Sequence, residues 1–172
     1  ILFLFYLTGT MQAQQTPLRV LNKIQADSLA QQQVIYHDRV VPFNTLARDF
    51  VKKLTGKIYY KGLTPEQVIS GWILYPDSWK NEPMIYIKSP ELHHLLGLES
   101  SYARLTDLFD GPVYRLQKTW QQEQGKSSKL AKAIQETDEK VGLILMLEKG
   151  RFPSDADILR KFRQGALFIL IE

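Results

Sequence analysis

Residues 34–69, VIYHDRVVPFNTLARDFVKKLTGKIYYKGLTPEQVI, decide the fold because an extended segment and two helix starts follow one another within them. Residues 34–41 are rich in β-branched and aromatic side chains, which favour strands. Asn44 is a good helix N-cap, and apolar residues recur at helical spacing over 45–54 until Gly56 ends the pattern. The stretch therefore predicts a small hairpin or a crossing strand, followed by a helix.

A second helix start lies in the same stretch. Thr64 is suited to be the N-cap, Pro65 to be the first helical residue, and Gln67 to reach back and complete a capping box. These signals predict a helix over 65–74. Residues 57–62 place two tyrosines between lysines, and they form the basic and aromatic turn between the two helices.

The rest of the chain predicts a mainly α fold with minor β, with α+β as the alternative. Pro76, Asp77 and Ser78 form a turn that carries Trp79 inward. Further helices are expected at 18–33, from Pro90 to Gly97, within 101–109, from Tyr114 onward and over 130–150, with a brief strand at 83–87. Because a short polar loop, 125–128, joins the last two long helices, we expect a C-terminal helical hairpin. One or two short strands complete the prediction.

Several short motifs occur here in the same order as in a known family. They are Arg39, Pro42 and Asn44-Thr45-Leu46; Leu54-Thr55-Gly56-Lys57; Tyr60-Lys61-Gly62-Leu63-Thr64; Tyr75-Pro76-Asp77-Ser78-Trp79; Ile87-Lys88-Ser89-Pro90-Glu91-Leu92; and Thr137-Asp138-Glu139-Lys140-Val141. In this order they resemble the extracytoplasmic domain of the ResB/CcsA-type (System II) proteins of cytochrome c biogenesis, in their Bacteroides-like form. The resemblance covers residues 24–150.

The resemblance implies a scaffold that holds apocytochrome c while haem is attached to it. The implied partners are apocytochrome c and the membrane-embedded, haem-handling part of the same or an adjacent protein. That part of the family is tryptophan-rich, and no such stretch occurs in this sequence, which predicts that haem is handled by the wider complex rather than by this chain. The client contact is expected on Arg39, Asn44, Lys57, Tyr59, Tyr60 and Lys61, whose polar, basic and aromatic side chains cannot all be core.

Composition excludes several classes of function. The 172 residues are enough for one domain with a real core, and 44% of them are hydrophobic. The net charge of +4 comes from scattered lysines and arginines, which argues against a nucleic-acid partner. The absence of cysteine excludes a disulfide framework, a thiol-redox role and a C-x-x-C-H haem attachment site.

Apolar runs near both ends suggest how the chain is organised. The run ILFLFYL within residues 1–13 predicts a signal peptide or the end of a membrane span, with a buried strand as the alternative. Residues 14–150 are then an extracytoplasmic helical domain, membrane-tethered or secreted. Residues 151–172, which end in the run ALFILI, are a tail that leads to a membrane span or forms a strand.

The histidines are the first candidates for a haem or metal site. His37 is a weak candidate haem ligand that lies beside an acidic and a basic residue. His93 and His94 are neighbours in a short predicted helix and point about 100° apart, so one is expected to face the core and the other solvent. Two such histidines cannot readily share one metal, and no metal site is predicted.

The acidic residues and motifs do not predict a catalytic centre. Glu136 and Lys140 have the i, i+4 spacing of a solvated helix face, and Asp138 is expected to be partly buried and to make a structural hydrogen bond. Nucleophile and phosphate-loop motifs do not occur in the sequence. Two other functions stay open: a stand-alone secreted or periplasmic binding protein, and a hydrolase-like enzyme with an unrecognised site.

Overall fold

A computed structural model describes residues 18–36, 39–148 and 170–171. The described part contains seven α-helices, joined by short strands and turns. They are α1 (Lys23–Ala30), α2 (Phe43–Thr55), α3 (Pro65–Leu74), α4 (Pro76–Trp79), α5 (Pro90–Leu96), α6 (Gln117–Glu123) and α7 (Lys129–Glu148). The expected fold class, mainly α with minor β, is confirmed.

The strands are short and more numerous than the one or two expected. They are β1 (Gln33–Tyr36), β2 (Arg39–Pro42), β3 (Ile85–Tyr86), β4 (Tyr102–Ala103), β5 (Phe109–Asp110), β6 (Val113–Tyr114) and β7 (Leu170–Ile171). The first two form an antiparallel hairpin in which Tyr36 is opposite Arg39, and β7 pairs in parallel with β1. The other strands form two antiparallel pairs, β3 with β4 and β5 with β6. The hairpin alternative for residues 34–41 is thus the one that the structure adopts.

Most helix starts follow the local signals in the sequence. Thr64 and Gln67 form the expected capping box at the start of α3, and the side chain of Ser89 caps α5. Gly56 ends α2 at a φ of 73°, a left-handed conformation that suits glycine. The prediction that Asn44 caps α2 is wrong. The helix begins two residues earlier than predicted, at Phe43, and the Asn44 side chain donates a hydrogen bond to Glu66 instead.

Four further boundaries differ from the prediction. The helix expected from Tyr114 onward begins at Gln117, because Val113–Tyr114 form β6. α1 covers only eight residues of the expected 18–33, because Asn22 forms a capping box with Gln25 and the chain turns into β1 soon after Ala30. Residues 101–109 hold β4, a 3₁₀ turn at Thr106–Leu108 and the start of β5 rather than a helix. The turn at residues 76–79 is one turn of helix, α4. The expectations for residues 1–13 and for most of residues 151–172 lie outside the described residues.

The core is centred on α2 and α3, and Trp72 and Trp79 are its largest members. Both indoles are fully buried, with ring centroids 6.1 Å apart. Gly71 allows this packing, because a Cβ at that position would lie 2.4 Å from the Trp79 Nε1. α6 and α7 contact each other across the loop that joins them, as expected for the helical hairpin. None of the described helices is both long and apolar enough to cross a membrane.

Candidate functional site

A tight turn at residues 60–63 forms one wall of a surface cleft. Tyr60 and Leu63 are bridged by backbone hydrogen bonds, and the Leu63 N–H donates to the Tyr60 carbonyl at 2.8 Å. Between them, Lys61 and Gly62 have φ angles of 48° and 79°. Two positive φ angles in succession are typical of the type I′ turn. Glycine adopts such an angle without steric strain, whereas for lysine the conformation is unfavourable. The turn therefore fixes the direction in which Lys61 leaves the backbone.

Tyr60 and Lys61 converge on one carboxylate, that of Glu82. The Tyr60 hydroxyl donates to the Glu82 Oε1 at 2.5 Å, and the Lys61 Nζ lies 2.5 Å from the same oxygen. Glu82 is buried, and the Pro83 carbonyl lies 3.0 Å from the Tyr60 hydroxyl. Burial, followed by the hydrogen bond and the charge of Glu82, raises the pKa of Tyr60 well above its ordinary value. Tyr60 is therefore a neutral hydrogen-bond donor, and the Lys61 ammonium group balances the negative charge of Glu82.

An open cleft of about 1050 Å³ lies against this turn. Its other wall is built from the segment before α1 and from the α3–α4 junction. The Arg19 guanidinium stacks on the Tyr75 ring with its Cζ 4.2 Å from the ring centroid. The Trp79 indole N–H donates to the Arg19 carbonyl at 2.9 Å, so the backbone of this arginine is anchored to the core. The lining residues are Leu18, Arg19, Lys61, Leu63, Leu74, Tyr75, Pro76, Asp77, Ser78, Asn81, Glu82, Pro83 and Arg104.

The two carboxylates of the cleft are already engaged. Asp77 is 2.6 Å from the Lys80 Nζ, and the hydrogen bond and charge of this lysine lower the pKa of Asp77. Glu82 is held by Tyr60 and Lys61. Both acids of the cleft therefore have a cationic partner. The arrangement is suited to binding a ligand, and its open charges are cationic.

The structure brings together two of the six residues that were expected to contact a client. Tyr60 and Lys61 meet at Glu82, and Tyr60 is buried. Lys57 and Tyr59 are exposed on the same loop. Arg39 is exposed on β2, and Asn44 bonds to Glu66. The expected contact segment thus divides into an exposed loop beside the cleft, an internal residue, Asn44, and a strand residue, Arg39.

The histidines lie away from this cleft or outside the described residues. The candidate haem ligand His37 is not among the described residues. The His93 Nε2 lies 2.6 Å from the Ile87 carbonyl oxygen and His94 is exposed, as the helical spacing predicts. Within residues 18–36 and 39–148, no group of three or more histidines and carboxylates could hold a metal ion.

Asp138 on α7 forms a partly buried pair with Tyr114 of β6. The Tyr114 hydroxyl donates to the Asp138 carboxylate, so the expected structural hydrogen bond of Asp138 is confirmed. Burial raises the pKa of Asp138, and the hydrogen bond from Tyr114 acts in the opposite direction. The prediction of a solvated helix face at Glu136 and Lys140 is wrong for Lys140. The Lys140 Nζ donates to the Tyr86 carbonyl at 2.5 Å, and burial lowers the pKa of Lys140.

Sequence reasoning missed Arg19, Glu82 and Arg104 as members of the cleft. Arg19 and Arg104 are far apart in the chain and stand in no motif. Glu82 follows the predicted turn at residues 76–79, in the segment Lys80-Asn81-Glu82-Pro83, where a charged residue before proline suggests only an exposed loop. The one available signal was the segment Tyr75-Pro76-Asp77-Ser78-Trp79. Its first four residues line the cleft, and its tryptophan binds the backbone carbonyl of Arg19.

Comparison with known proteins gives one informative similarity. No family model matches the chain. The chain is 28% identical over 162 residues to Protein NrfI of Wolinella succinogenes. The match covers 88% of this chain, and it spans only 18% of that relative's length. At the level of the family, this similarity supports a relationship to cytochrome c biogenesis.

Proposed function

We propose that this chain is the extracytoplasmic part of a cytochrome c assembly protein, where it scaffolds the attachment of haem to apocytochrome c. The observation that carries the proposal is the similarity to Protein NrfI, which extends over 88% of the chain and therefore includes most of the described residues. The ordered motifs from Arg39 to Val141 support the same function. Haem handling is assigned to the wider complex, and apocytochrome c is the client.

The geometry supports a binding role within that function. Both walls of the cleft are held in place. The Trp79 indole fixes the wall that carries Arg19, and the Tyr60–Glu82–Lys61 network fixes the wall at residues 60–63. A preorganised surface lowers the entropy cost of holding a flexible chain. The exposed residues Lys57 and Tyr59 extend this surface along the same loop.

The test is the yield of holocytochrome c in cells that carry the full gene product. Deletion of residues 18–148 from that product is expected to abolish covalent haem, measured by haem-dependent peroxidase staining of cytochromes after denaturing electrophoresis. The apocytochrome is followed in parallel by immunoblot. Unchanged holocytochrome with a normal level of apocytochrome would remove the proposal.

A second measurement tests the location. We expect alkaline phosphatase, fused within the exposed loop 124–128, to be active, because that enzyme requires the oxidising environment outside the cytoplasm. A fusion of the same reporter to a cytoplasmic protein is the negative control. An inactive fusion that is present at a normal level would contradict the proposed location.

A further inference from the structure

The cleft between the 60–63 turn and the α3–α4 junction has more positive than negative charge that is open to a ligand. Its lining includes three cations, Arg19, Lys61 and Arg104, and two acids, Asp77 and Glu82. Lys61 is paired with Glu82, and Asp77 is paired with Lys80. Within the described part of the chain, neither guanidinium forms an ion pair with a carboxylate. Arg19 and Arg104 therefore carry the uncompensated charge.

Arg19 is held in a position that suits a carboxylate. The Cζ of its guanidinium lies over the Tyr75 ring, 4.2 Å from the ring centroid, and its backbone carbonyl accepts the Trp79 indole hydrogen bond. A stacked guanidinium uses its face for the ring and keeps its N–H edges in the plane, where a carboxylate can accept two parallel hydrogen bonds. Since the arginine is already ordered, less side-chain entropy is lost when the ligand binds.

Arg104 is fixed at its backbone in a comparable way. The Arg104 N–H donates to the Asp107 carboxylate at 2.8 Å, while its side chain is exposed to the cleft. The Asp107 carboxylate is thereby bound to the Arg104 main-chain N–H, and the Arg104 guanidinium is available to a ligand.

The cleft is large and open enough to admit a chain segment. Its volume of about 1050 Å³ is at the upper end of the roughly 300–1,000 Å³ of pockets that enclose drug-sized molecules, and it is partly open to solvent. Leu18, Leu63 and Leu74 add apolar contact between the charged positions. A segment with acidic side chains separated by other residues would satisfy both arginines and cover these leucines.

We propose that this cleft binds an acidic polypeptide segment, with carboxylates of the segment held by Arg19 and Arg104. The inference rests on the proposed function, which supplies a polypeptide client, and it names the feature of the client or partner that this domain recognises. It also moves the main contact away from Arg39 and Asn44, towards residues that the sequence did not indicate.

The experiment measures peptide binding to the purified full gene product by fluorescence anisotropy. The probe is a labelled twelve-residue peptide with four glutamates, and the matched peptide has glutamine at those four positions. The test variant is Arg19→Gln/Arg104→Gln. The control variant is Lys118→Gln/Lys132→Gln, which removes the same net charge from exposed positions on α6 and α7 that do not line the cleft.

The acidic peptide is expected to bind the unaltered protein at least about tenfold more tightly than the glutamine peptide, because the charged pairs are formed on a preorganised surface. The Arg19→Gln/Arg104→Gln variant should lose this preference, whereas the control should lose less than about threefold through the change in overall charge. The Arg19→Lys/Arg104→Lys variant, which keeps the charge, should fall between them. Equal thermal unfolding midpoints will show that all variants are folded.

Two results would overturn the inference: equal binding of both peptides, or equal loss of affinity in the test and control variants. Displacement of the peptide by millimolar succinate would assign the cleft to small dicarboxylates and also overturn it. The holocytochrome assay separates this failure from that of the proposed function. If the deletion abolishes holocytochrome while the acidic peptide does not bind, only the present inference fails; if the deletion has no effect, the proposed function fails.

Discussion

Two tyrosine–carboxylate pairs in the described part of the chain, Tyr60 with Glu82 and Tyr114 with Asp138, look alike and have different surroundings. Tyr60 donates to Glu82 at the wall of the cleft, and Tyr114 donates to Asp138 on α7. In both pairs, burial and then the neighbouring carboxylate raise the pKa of the tyrosine. Each tyrosine is therefore a neutral donor at neutral pH.

The two pairs differ in whether the carboxylate also has a cationic partner. Glu82 has the Lys61 ammonium group 2.5 Å away, whereas within the described residues Asp138 has only its tyrosine as a hydrogen-bond donor. The Glu82 carboxylate is therefore compensated, and the Lys61 side chain that compensates it faces the cleft. The Asp138 carboxylate is not compensated, and burial raises its pKa. The same pair of groups joins β6 to α7 at one site and shapes a charged surface at the cleft.

The largest effect is expected when the packing of Trp79 near the cleft is disturbed. In Gly71→Ala the new Cβ would lie 2.4–2.6 Å from three atoms of the buried Trp79 indole, which also anchors Arg19. Overpacking of this kind costs about 1–3 kcal/mol. Urea unfolding should show this loss, together with weaker binding of the acidic peptide.

Gly142→Ala is the matched control, because a Cβ at that position would have no described atom within 4 Å apart from its chain neighbours and the backbone of α7 itself. Alanine is a better helix former than glycine, so this variant should gain up to about 1 kcal/mol. A loss in Gly142→Ala as large as that in Gly71→Ala would mean that the packing against Trp79 is not the cause.

Removing the two hydroxyl groups compares the pairs directly. Tyr114→Phe leaves a partly buried carboxylate without its donor and should cost about 1–3 kcal/mol in the free energy of unfolding at pH 7. Tyr60→Phe leaves Glu82 with Lys61 and should cost about 1 kcal/mol. Urea unfolding of both variants measures the order, and a larger loss in Tyr60→Phe would show that Lys61 does not compensate Glu82.

Sequence patterns predicted the parts of the fold that depend on local chemistry. The capping box of Thr64 and Gln67, the cap of Ser89 and the glycine ends of α2 and α5 are all set by neighbours within a few residues. The N-cap of α2 was misplaced because Asn44 has a tertiary partner, Glu66, 22 residues away, which no local pattern reveals.

The candidate site was predictable only in part, for the same physical reason. The turn at Tyr60 and Lys61 was recognised from its basic and aromatic side chains. The rest of the cleft joins Arg19, Glu82 and Arg104, which are far apart in the sequence, and the Trp79 indole holds the backbone of Arg19 in place there. Long-range packing sets these positions, so spacing along the sequence carries no signal for them.

A smaller effect is expected from the ion pairs at the two sites. In a double-mutant cycle, Lys61→Met with Glu82→Gln should give a coupling of about 1–2 kcal/mol, because the Glu82 side chain is only 11% exposed. The pair of Lys53 and Glu139 on the α7 side has the same 2.5 Å distance but a carboxylate that is 48% exposed. Solvent screening should reduce its coupling to about 0.2–1 kcal/mol. Equal couplings, measured by urea unfolding, would show that burial of the carboxylate makes no difference.

The smallest effect is the pH dependence that Asp138 contributes, since its side chain keeps some contact with water. Its pKa is raised from the ordinary 3.8, chiefly by burial. Between pH 3.8 and the higher folded-state pKa, the folded protein binds a proton that the unfolded chain does not bind. This contribution to stability is therefore complete below pH 3.8 and is lost as the pH rises through the folded-state pKa.

Carboxyl ¹³C titration by NMR can test this, and Asp77 provides an internal reference because Lys80 lowers its pKa. We expect Asp138 to titrate above pH 3.8 and Asp77 below it. Tyr114→Phe removes the one hydrogen bond that lowers the pKa of Asp138, so the pKa of this carboxyl should rise further in that variant. A fall would mean that the tyrosine stabilises the protonated carboxyl, and the contrast with the compensated Glu82 would then lose its electrostatic basis.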